Sequence, residues 1–115
     1  MSRVDFYILP EGSGVDRFAC SIVAKAWSRG NRVHIHTLSD ETAERMDKLL
    51  WTYQDISFIP HAIFPEQQDP DIAVTIGHGE QFPENAQVVI NLDDAVPSFV
   101  NHFERVVEIV GGDET

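Results

Sequence analysis

Short apolar runs alternate along the chain with segments whose apolar residues recur at helical spacing. Residues 4–9 (VDFYIL) form a mostly apolar run closed by Pro10, which predicts a first strand buried on both faces. Residues 15–29 predict a helix. Val15, Phe18, Ala19, Ile22, Val23, Ala26 and Trp27 make one apolar stripe, and Arg17, Lys25 and Arg29 lie off it. Gly30 follows at the position where a helix commonly ends on glycine. Residues 32–38 (RVHIHTL) predict a second strand. Ser39 or Asp40 then opens a second helix, with acids in its first turns and Ala43, Met46, Leu49 and Leu50 as its apolar positions. Trp51 ends this helix or lies just beyond it.

The second half is less regular. Residues 57–61 (SFIPH) are extended but interrupted by Pro60, which suits an edge strand or a loop. Residues 72–76 (IAVTI) and 88–92 (VVINL) read as buried strands, the first ending at Gly77-His78-Gly79. Pro97 suits the first turn of a helix running to about Phe103. Residues 106–110 (VVEIV) fit a last strand or a helical extension equally well. Strands that alternate with helices and are themselves continuous apolar runs predict a three-layer α/β domain with a mainly parallel sheet.

Composition narrows the picture. At 115 residues and 43% hydrophobic content, the chain fits one domain with a real core. No apolar run approaches the roughly 20 residues of a membrane helix, and the opening residues lack the order of a signal peptide. The expected location is the cytoplasm. The single cysteine, Cys20, lies on the apolar side of the first helix and reads as a small buried hydrophobe. A net charge of -11 opposes holding a polyanion, because phosphate contacts need Lys and Arg.

Four places invite a chemical reading. The first loop (PEGSGVD) lacks both the phosphate-loop and the dinucleotide glycine spacing, and its acids would repel phosphate. His34 and His36 share one face of a strand and would need a third metal ligand, for which Asp5 is the candidate; packed, hydrogen-bonded histidines are the plainer reading. His78, flanked by glycines at a strand end, is placed as a general base, with Asp93 or Asp94 to orient it. That arrangement is the alternative reading of the chain as a small hydrolase or nucleotide-binding enzyme, and it lacks a recognisable nucleophile. Trp51, Tyr53, Phe58, Ile59, Pro60, Ile63 and Phe64 form the densest aromatic and apolar stretch, open to reading as core or as interface.

Taken in order, VDFYIL, CSIVAKAWSRGNRVHIHT, Asp47 to Trp51 (DKLLW), SFIPH, Gly77-His78, VVINL and VPSFVNHFERVVEIV resemble the chi subunit of bacterial DNA polymerase III across essentially the whole chain. The resemblance implies a Rossmann-like fold, no activity of its own and no cofactor. It also implies two protein partners. One is the psi subunit, which tethers chi to the clamp loader. The other is the acidic, apolar C-terminal tail of single-stranded DNA-binding protein. Trp51 matches the family's tail-pocket position, with Arg45 and Lys48 as the nearest cations on the same helix. Phe58, Pro60 and His61 are expected at a partner contact, Phe58 more on the psi side, and Val100, Phe103 and Val106 are further psi candidates. Lys25 and Arg29 read as solvated helix surface. Chi proteins usually continue past the position of Val110 with a basic helix, so the domain, residues 1–115, is expected to lack that helix and to hold the tail more weakly.

Overall fold

The computed structural model describes residues 3–8, 14–52, 61–64, 72–79, 86–92 and 100–110. Six strands make one sheet, β1 (Arg3–Ile8), β2 (Val33–Thr37), β3 (His61–Ile63), β4 (Val74–His78), β5 (Val88–Asn91) and β6 (Arg105–Val110). Their spatial order is β1-β6-β5-β2-β4-β3, and every pairing is parallel. Helix α1 (Val15–Ser28) joins β1 to β2, and α2 (Asp40–Thr52) follows β2 on the way to β3.

The helix ends form as their sequences dictate. Gly30 takes a φ of 84° and closes α1 in a Schellman turn: Asn31 N–H donates to the Ala26 carbonyl at 3.0 Å and Gly30 N–H to that of Trp27 at 2.9 Å. Ser39 caps α2 reciprocally with Thr42. The Thr42 hydroxyl accepts from Ser39 N–H at 2.9 Å, and Thr42 N–H reaches Ser39 Oγ at 3.4 Å.

Alternation along the strands sorts the two faces. Val33 and Ile35, Val74 and Ile76, Val88 and Ile90, and Val107 point to one face, where Ala19, Ile22, Val23 and Ala26 of α1 and Ala43, Met46 and Leu50 of α2 bury them. The chain steps from β1 through β2 to β3 in one direction across the sheet and then back through β4 and β5 to β6. Right-handed crossovers therefore put both helices on one face. On the second face Ala86 and Phe103 pack with Val89 and Val106.

Three expectations need correction or completion. β1 is not buried on both faces. It is an edge strand whose Tyr7 packs on Phe18 of α1, and Phe6 and Ile8 are 69% and 79% exposed. The final apolar segment is a strand, paired to both β1 and β5. The helix expected after Pro97 is represented among the described residues by a single 3-10 turn, Val100–His102.

Gly77 shows how tightly the second face is filled. A Cβ there would stand 3.1 Å from both His34 Cε1 and the Phe64 carbonyl oxygen. Gly77→Ala should cost about 1–3 kcal/mol of unfolding free energy, read as a lower urea midpoint with unchanged slope; an unaltered midpoint would show that the pocket yields. Cys20 is fully buried and desolvation raises its thiol to about 11. It should react with an aromatic disulfide reagent only as fast as the protein unfolds, whereas immediate stoichiometric reaction would contradict its placement.

Candidate functional site

The stripe that buries Ala43, Met46 and Leu50 fixes the rotation of α2 and so decides what its outer residues meet. Asp47 and Trp51, one turn apart, face β3. The indole of Trp51 lies on the imidazole of His61 with ring centroids 4.4 Å apart and planes tilted by 52°. The His61 side chain is only 1% exposed, and its Nε2 stands 3.7 Å from Asp47 Oδ1. Trp51 itself is 58% exposed, so one side of the indole is backed by protein and the other faces solvent.

The expected cations do not all gather at the indole. Lys48 is exposed one turn before Trp51. Arg45 lies about 120° away around the helix, and its Nε pairs with Asp16 Oδ2 of α1 at 3.3 Å. Lys25 and Arg29 are exposed on α1. Phe58 and Pro60 lie outside the described residues, whereas His61 begins β3 and turns its ring inward against Trp51. Sequence reasoning missed Asp47 and Asp16. The one signal present was the i, i+4 spacing of Asp47 and Trp51, which places them on a common helix face.

The histidine expectations resolve differently. Two strands, β5 and β6, separate β2 from β1, so Asp5 cannot complete a metal site with His34 and His36. Asp5 instead accepts from Arg105 Nε at 2.7 Å, and this bond holds its carboxyl below the usual range. His34 Nδ1 shares a 2.8 Å hydrogen bond with Thr75 Oγ1, and its ring stacks with Phe103 and meets Phe64 edge-on. At the carboxyl ends of the strands, His78 Nε2 lies 2.8 Å from Asp40 Oδ1. A carboxylate does orient His78, but it comes from the start of α2; Asp93 and Asp94 lie outside the described residues. The nearby Ser39 hydroxyl, the kind of group a hydrolase would use as nucleophile, is engaged with Thr42.

What these residues form is a half-open aromatic surface on an all-parallel α/β domain: an indole resting on a buried imidazole, with charged side chains along the same helix. The family profile described as "DNA polymerase III chi subunit, HolC" matches residues 1–115. Among named relatives, the DNA polymerase III subunit chi of Pseudomonas aeruginosa is 35% identical over 112 residues, 96% of this chain and 78% of that protein. The subunit of the same name from Escherichia coli K12 is 28% identical over 117 residues, 96% of this chain and 80% of that protein. The chain belongs to the DNA polymerase III chi subunit family, a family of accessory subunits of the polymerase complex. No helix among the described residues is long and apolar enough to cross a membrane.

Burial first, and His36 second, push His34 down to about 3 from an ordinary 6.5. The unfolded chain takes up a proton near 6.5 that the folded chain refuses. Stability tied to His34 is therefore complete above that pH and falls as pH drops toward about 3, by up to about 1.4 kcal/mol per pH unit. His34→Gln should flatten the decline of unfolding free energy from the ordinary histidine range down to about pH 5. An unchanged slope would mean that His34 titrates normally.

Proposed function

We propose that this chain is an adaptor of the replication machinery, joining the clamp loader, through psi, to the acidic C-terminal tail of single-stranded DNA-binding protein. The observation that carries the tail half of this reading is Trp51, exposed on one side and backed on the other. An apolar tail end can cover the open side of the indole while Lys48 meets its carboxylates. The net charge of -11 opposes direct contact with the nucleic-acid template. The psi half rests on family membership, with Phe58 and Pro60 as the first residues to vary. A replication adaptor of this kind works in the cytoplasm.

Magnitudes rank the tail contacts. Covering the exposed part of the indole is worth about 3 kcal/mol, whereas a solvent-exposed lysine pair contributes about 0–1 kcal/mol. Trp51→Ala should therefore weaken binding of a synthetic tail peptide by about thirtyfold or more. Lys48→Ala should weaken it by no more than about fivefold, with affinity falling as salt is added. Calorimetric titration of the two variants checks the order. Equal binding by Trp51→Ala and the parent protein would remove the indole from the site.

A further inference from the structure

We infer that His61 is a positioning residue that holds the Trp51 indole ready for the tail, and does not itself touch a partner. This inference rests on the tail-capture reading above. Three observations converge on it. The imidazole lies against the indole with centroids 4.4 Å apart. The His61 side chain is 1% exposed, so it has almost no surface to offer a partner. Its backbone is fixed in β3, where His61 is in register with Val74 of the neighbouring strand.

A tryptophan on the last turn of a surface helix, 58% exposed, would otherwise turn about its side-chain bonds. A ligand that needs one ring orientation would have to freeze that motion on binding. A fixed aromatic base removes part of this cost before the ligand arrives, an effect of about three- to tenfold in affinity for one side chain. Asp47 completes the arrangement. It shares the helix face of Trp51, and its Oδ1 stands 3.7 Å from His61 Nε2, so its carboxylate is directed at the imidazole.

The full chain carrying Trp27→Phe retains Trp51 as its single tryptophan, so time-resolved fluorescence anisotropy then reports the motion of that indole alone. The same protein is titrated with a synthetic acidic peptide ending in an apolar residue. His61→Ala is expected to enlarge the fast local component of the anisotropy decay and to weaken peptide binding about three- to tenfold. His61→Phe keeps a ring under the indole without the imidazole nitrogens, and should restore both readouts to within about twofold of the parent.

Weaker binding by His61→Ala with unchanged indole motion would overturn the positioning role, since His61 would then contact the peptide directly. So would a folded His61→Phe protein that restores neither readout. Undiminished binding in His61→Ala would sink the positioning role alone. Undiminished binding in Trp51→Ala would sink the tail-capture reading, and the positioning role with it.

Discussion

The packing of Ala43, Met46 and Leu50 onto the sheet is the constraint on which the surface of this protein depends. These three residues repeat at i, i+3 and i+7, so burying them leaves α2 one rotation about its own axis. That rotation turns Asp47 and Trp51 toward β3 and Arg45 toward α1. The reciprocal Ser39 and Thr42 cap fixes where the helix starts, and hence the height at which Trp51 emerges. An apolar stripe with no chemistry of its own thus decides which polar and aromatic groups meet.

β2 applies the same logic to the sheet. Val33 and Ile35 face the helices, while His34 and His36 face the other side, where Phe64 and Phe103 meet the His34 ring. Register aligns His36 with Asn91 and Asn91 with Glu108, a polar row across three strands on the second face. The Asn91 amide donates to both Glu108 carboxylate oxygens, at 3.0 and 3.1 Å, which favours the charged form. Burial outweighs that help, and the Glu108 carboxyl is raised above its usual range. The row reads as packed polar structure rather than a reactive centre. His34 is kept neutral, and Asp5, the acid expected to complete a metal site with the pair, stands beyond two intervening strands.

What could be read from residues alone was what depends on near neighbours. The α1 stripe, the Gly30 turn and the start of α2 at Ser39 all follow from contacts within a few positions, and they form as read. Residues 4–9 misled because an apolar run carries no mark of its place in the sheet order. At an edge, one face of such a run lies bare, as Phe6 and Ile8 do. The final strand was ambiguous for the related reason that its identity depends on pairing with β1, about a hundred residues earlier. At the candidate site, the prominence of Trp51 came from the family pattern and its place at the end of α2. That the indole rests on His61, and that Arg45 answers to Asp16, are long-range facts that no local spacing encodes.

The location of the indole bears on what kind of ligand it suits. In open parallel sheets, small molecules settle at the carboxyl ends of strands, where neighbouring connections leave to opposite faces and open a crevice. Here that end carries His78 and Asp40, joined to each other and exposed. Trp51 stands at the other end of α2, about 16 Å away along its axis, beside the first residue of β3. The amino end of a parallel sheet has no such crevice. The proposed occupant, the end of another protein chain, needs no such crevice because it brings its own shape. The aromatic ring supplies the apolar area, the buried imidazole supplies its backing, and the exposed end of a helix supplies access from solvent. On the proposed reading, the fold serves as a rigid mount for that surface, and function is argued from the site rather than from the architecture.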